Sequence, residues 1–114
     1  MLTVDALRRL GVNTDEGLAR CLNNEAFYIR LVNMALDDAG FEKLSSAIEN
    51  NDRQAAFEAA HSLKGSLGNL ALTPVYNPVV ELTELLRGGQ EADYSALLDE
   101  ILLMRKALVA LRED

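Results

Sequence analysis

His61 is the only histidine in the chain, and Lys64, Gly65 and Gly68 follow it closely. A free histidine titrates near pH 6.5, so an imidazole in water has a neutral, nucleophilic fraction near neutrality without a helper base. Phosphoryl transfer asks little covalent chemistry of a protein; it asks for alignment and for positive charge around the moving oxygens. Lys64 can supply that charge as a mobile point cation. Hydrolysis is the weaker chemistry for these residues. No serine or cysteine stands in an orienting constellation with His61, and a lone histidine helix offers no oxyanion hole.

The element that must carry His61 is a helix over residues 52–72. Ala56, Ala60, Leu63, Leu67 and Leu70 recur at spacings of four, three, four and three, the helical period. At about 100° per residue they form one narrow stripe, and His61 points roughly 140° from its middle. The histidine is therefore expected on the water side of a helix whose other side is core. Lys64 and Gly65 lie three and four residues on and flank the imidazole; Gly68 lies a turn further. Each interior glycine costs about 1 kcal/mol against alanine. Two such violations of local propensity are expected where a site needs empty space. The plainer alternatives are that the helix ends or bends near Gly65, or that another helix crosses there closely. Phe57, one turn before His61, either forms an apolar patch beside it or widens the core face.

The string Ala60-His61-Ser62-Leu63-Lys64-Gly65, followed by Gly68, resembles the signature of histidine-containing phosphotransfer (HPt) domains. The order of helical segments resembles theirs too, with the motif on a middle helix and two helices after it. The resemblance implies an all-α, antiparallel up-and-down four-helix bundle that relays phosphoryl groups between receiver-domain aspartates in two-component signalling. It implies His61 as phospho-acceptor through Nε2, Lys64 as the charge beside the phosphoryl group, and Gly65, Gly68 and Phe57 as a docking surface. The implied partners are a response-regulator receiver domain, a hybrid sensor histidine kinase, or both. No cofactor is implied in this chain, Mg2+ being expected in the receiver; nor is an ATP-dependent kinase activity of its own. Two positions depart from the pattern: Ala71, where many members have glycine, and Thr83, where some have an amide that reaches the phosphoryl group.

Composition narrows the alternatives. The 114 residues suit one domain, here residues 1–114, with short N-terminal helices over 1–22 and a helical bundle over 24–113. Leucine and alanine dominate and only two prolines interrupt, which favours long helices. The formal charge of −7 repels nucleic acid and anionic membrane surfaces. A single cysteine, Cys21, excludes an internal disulfide and, with one histidine, an ordinary zinc site. No basic-apolar leader opens the sequence and no apolar run reaches membrane-spanning length. A soluble, cytoplasmic monomer is expected. The second reading, from a different class, is a helical docking module that binds a signalling partner and never carries phosphate.

The remaining elements follow in order. Thr3 caps a short helix ended by Gly11, and residues 14–22 form another with Leu18, Cys21 and Leu22 on its apolar side. Asn23 or Asn24 starts a helix over 25–38 with a broad apolar face including Phe27, Tyr28, Leu31, Val32 and Met34. Residues 41–50 form the next, before the Asn50-Asn51-Asp52 cap cluster. After it, Thr73-Pro74 and Asn77-Pro78 are competing start signals: either the helix begins at Pro74 and is kinked at Pro78, or Asn77 is the cap. Gly88-Gly89 is a loop. A last helix over 91–112 carries a seam of Tyr94, Leu97, Ile101, Met104, Leu108 and Leu111, with Leu98 outside it.

Overall fold

The computed structural model describes residues 1–89 and 93–113. Within them the chain is all-α: α1 (Val4–Arg9), α2 (Thr14–Arg20), α3 (Glu25–Leu36), α4 (Gly40–Glu49), α5 (Arg53–Asn69), α6 (Thr73–Gly88) and α7 (Tyr94–Ala110), closed by a short turn of tighter helix at Leu111–Glu113. Most helices begin at a side chain suited to the task. Thr3, Asn13, Asn24 and Asp52 accept hydrogen bonds from the backbone N–H groups of Ala6, Glu16, Phe27 and Ala55, satisfying donors that a helix start leaves unpaired.

Helix α5 is packed principally between α4 and α6, and α6 packs in turn on α7. Its stripe of Ala56, Ala60, Leu63 and Leu67 is buried, as the spacing predicts. The small residues early in the stripe admit close neighbours, and the leucines later in it join one continuous core with Phe41 and Leu44 of α4 and Val75, Val79 and Leu82 of α6. Helix α3 closes against α7 and the turn that follows it through two arginines. Arg105 Nε donates to the Leu36 carbonyl at 2.8 Å, and Arg112 Nε donates to Asn33 Oδ1 at 2.7 Å.

The N-terminal helices belong to the same core. Leu2, Val4, Leu7, Val12 and Cys21 are buried in it. Gly17 shows how tightly α2 is seated. A Cβ there would stand 2.5 Å from the Tyr28 ring and 2.7 Å from the Leu70 carbonyl oxygen, so no larger residue fits without backbone movement.

Several expectations need correction. Leu22 is not on an apolar face. It is 90% exposed, because Leu22 and Asn23 both take left-handed backbone conformations (φ 58° and 57°) that swing the chain from α2 into α3. Phe27 and Met34 are exposed, so the face α3 buries is narrower than its composition. The helix after α5 starts at Thr73, with Leu72 as its cap residue, and runs through Pro78, which is buried inside it. Asn77 is therefore not a cap. Gly88 is helical, and Gly89 (φ 66°) makes the left-handed stop. Leu98 is buried with Ile101 and Leu108, while Tyr94, Leu97 and Met104 are only half-buried. The seam is thus rotated toward Leu98, since α7 meets both α6 and α4. The expected start of the last helix at Glu91 lies outside the described residues.

Candidate functional site

Helix α5 presents His61 to solvent near its middle. The ring is not adrift. The Phe57 ring, one turn earlier, stacks on it with centroids 5.7 Å apart and planes 15° from parallel. The Arg87 guanidinium, from the far end of α6, sits 5.5 Å from the Phe57 ring centre. Aromatic stacking and cation–π contact together hold the imidazole's neighbour in place while leaving the imidazole itself uncovered. Among the described residues, nothing donates a hydrogen bond to His61 or pairs with it ionically.

Lys64 is half-buried, one turn along. It has no ion-pair partner among the described residues, so its ammonium is available to an incoming anion. Lys64 and Gly65 line an open cleft of about 420 Å³ between α2, α5 and α6, whose other walls include Glu16, Arg20, Gly68, Tyr76 and Asn77.

The two glycines behave differently. A Cβ on Gly65 would meet nothing within 4 Å, which is the empty space that the sequence predicts. A Cβ on Gly68 would stand 2.8 Å from Tyr76 Cε1. Gly68 therefore does not open room for a visitor, as its place in the expected docking surface required. Its missing side chain is filled by the Tyr76 ring of α6, and the close crossing weighed as the plainer alternative holds there. Phe57 is half-buried and packed against the core, so it is at once a core-edge residue and the support of the imidazole.

The departures from the motif also take physical form. Ala71 has φ 55°, a left-handed conformation that costs an L residue roughly 1–2 kcal/mol and that glycine adopts freely. The chain turns there from α5 into α6. Thr83 faces inward. It is fully buried, and its hydroxyl donates to the Val79 carbonyl at 2.7 Å, so it reaches nothing near His61.

Sequence reasoning missed Arg87, Tyr76 and Arg20. Arg87 and Tyr76 lie on another helix, and only the unexplained Gly68 hinted at a close neighbour. Arg20 Nη1 donates to the Gly68 carbonyl at 2.6 Å, and Nη2 pairs with Glu16. It joins two others at the C-terminal end of α5. The Tyr28 hydroxyl donates to the Leu70 carbonyl at 2.8 Å, and the Asn13 backbone N–H donates to the Ala71 carbonyl at 3.2 Å. Three carbonyls at and just past the helix end, those of Gly68, Leu70 and Ala71, are thus met by residues of the first 28. Burial pushes the Tyr28 hydroxyl up to about 12, with a smaller contribution from Cys21.

Residues 31–114 match the family model of the Hpt domain. The chain belongs to that family, whose members perform histidine phosphotransfer in two-component systems and interact with receiver domains and kinases in phosphorelays. No curated protein and no solved structure matches the chain. Among the described residues, no helix is long and apolar enough to cross a membrane, and no group of three or more His, Cys, Asp and Glu side chains could hold a metal ion.

Proposed function

We propose that this chain is a phosphorelay intermediate in which His61 accepts a phosphoryl group from one receiver aspartate and yields it to another. The observation that carries the reading is an uncovered imidazole, braced by Phe57, with an unpaired ammonium one turn on and open space over Gly65. In the forward step the Nε2 lone pair forms a bond to phosphorus. The bond from phosphorus to the partner's acyl oxygen breaks, its electron pair returning to the aspartate carboxylate. The imidazole keeps its Nδ1 proton or releases it to water. Lys64 balances charge on the moving oxygens, and Phe57, stacked on the imidazole, limits the ring's rotation during the approach. The receiver brings its own Mg2+, and this chain contributes alignment, nucleophile and cation.

In this reading α4–α7 form the antiparallel up-and-down bundle of the family, acting as a cytoplasmic monomer. The rigid core behind α5 keeps the imidazole at a fixed height for docking.

The test uses receiver domains phosphorylated by acetyl phosphate and Mg2+, mixed with the purified chain. Wild type is expected to acquire an acid-labile, base-stable label. His61→Gln should acquire none while keeping its helical circular dichroism. Lys64→Ala should keep the site but lower the saturated transfer rate by roughly tenfold or more, since a charge aimed at the reacting oxygens is worth at least that factor. A label that persists in His61→Gln would overturn the assignment. Binding of receivers without any label would favour the docking-module reading instead.

A further inference from the structure

The family match begins at residue 31, yet α2, which precedes it, contributes two residues to the cleft beside Lys64. Arg20 is the one that matters. Its Nη1 is committed to the Gly68 carbonyl and Nη2 to Glu16, which fixes the guanidinium at the cleft wall rather than letting it wander. The side chain remains 46% exposed. A guanidinium has five N–H donors, so two bonds leave others free for a further acceptor. Among the described residues Glu16 is the only acid lining the cleft; Asn69, Thr73, Tyr76 and Asn77 are neutral. With Lys64 unpaired, the cleft carries an excess positive charge in a chain whose net charge is −7. Gly65 leaves the path across it unobstructed.

We propose that Arg20 is a specificity-determining residue: the cleft receives a carboxylate side chain of the docking receiver domain, which pairs with Arg20 while the acyl phosphate meets His61 and Lys64. This rests on the phosphotransfer reading above. In the free protein Glu16 holds Arg20 ready. On docking, the incoming carboxylate shares the guanidinium or takes Glu16's place. Lys64 acts on the reacting group, whereas Arg20 acts on the partner's orientation and identity. The two cations therefore separate kinetically: one governs the saturated rate, the other the concentration at which saturation is reached. A charge at the rim of an interface alters association and salt dependence more than any later step.

The experiment measures transfer from a panel of acetyl phosphate-labelled receiver domains to wild type, Arg20→Lys, Arg20→Gln and Arg20→Glu, each with a thermal melt. Arg20→Gln keeps an amide donor for the Gly68 carbonyl and loses the charge; Arg20→Lys keeps the charge. The expected result is a KM for the preferred receiver raised roughly fivefold in Arg20→Gln and more in Arg20→Glu, with Arg20→Lys near wild type. The saturated rate should hold throughout, and the salt dependence of KM should flatten in Arg20→Gln. Preference among receivers should narrow in the same variants. Equal KM values across the series would overturn the proposal. So would losses that follow melting temperature instead of charge, because Arg20 would then only tie α2 to α5. If wild type accepts no label from any receiver, the phosphotransfer reading itself fails; if wild type is labelled and the Arg20 series is indifferent, only the present inference does.

Discussion

The middle of α5 and its C-terminal end are one helix under two regimes. Around His61, among the described residues, the helix is left open: an imidazole stacked on Phe57, a lysine without an ion-pair partner, and a glycine whose Cβ would meet nothing within 4 Å. From Gly68 to Ala71 it is gripped. Arg20, Tyr28 and the Asn13 backbone hold the carbonyls of Gly68, Leu70 and Ala71, Tyr76 fills the space over Gly68, and Gly17 lets α2 approach Leu70. The contrast teaches how one helix can combine access with precision. In the proposed phosphotransfer a partner's loop must reach His61, and Gly65 beside it withholds a side chain. The helix must not slide or fray meanwhile, so its end is anchored by groups distant in sequence. Even the glycines divide along this line, Gly65 standing open and Gly68 packed against Tyr76.

That division can be broken first at the grip. Gly17→Ala forces a methyl against the Tyr28 ring and the Leu70 carbonyl. Overpacking of this kind costs typically about 1–3 kcal/mol, and the backbone contact argues for the upper end. Urea unfolding would measure it, and an unchanged midpoint would mean the α2–α5 contact is looser than its distances.

Tyr28→Phe comes next. It strips a hydrogen bond from a buried carbonyl, at a cost of about 1–3 kcal/mol. It should also change the alkaline limb of stability. A hydroxyl titrating near 12 in the folded chain and near 10 when unfolded binds its proton more tightly in the native state. Its contribution is therefore complete below pH 10 and fades as the pH rises through 12. Wild type should lose stability across that window more steeply than Tyr28→Phe. Parallel slopes would sink the assignment.

The glycines give a smaller, signed effect. Gly65→Ala should stabilise by about 1 kcal/mol through helix propensity alone, since its methyl meets nothing. Gly68→Ala should gain less or lose, because Tyr76 must yield. Thermal melts of the pair distinguish them, and equal gains would erase the distinction between open and packed glycines. Least of all, Arg87→Ala removes an exposed cation–π contact worth about 0.5–1 kcal/mol. Its more telling readout is the His61 ring proton shifts, which should move as Phe57 loosens. Unmoved shifts would mean that Phe57 is held by the core alone.

Much of this was legible before any coordinates. The apolar spacing from Ala56 to Leu70 assigned α5 and its buried face, and the polar caps Thr3, Asn24 and Asp52 marked helix starts. These signals are local, because a helix repeats within a turn and a cap acts within three residues. The α6 start was ambiguous for the same reason. Pro74 and Pro78 send equal local signals, and burial of Pro78 against the core resolved them.

Sequence alone determined that the chain is helical, that it is acidic, and that His61 stands opposite the stripe its helix buries. Tertiary structure decided which glycine is vacant, that Thr83 turns inward, that Arg87 braces the aromatic beside the histidine, and that Arg20 shares a cleft with Lys64. The reason is range. A periodic backbone fixes the side of a helix on which each residue lies, whereas a contact between residues 30 or 48 positions apart depends on how whole helices settle together, which no short window of residues encodes.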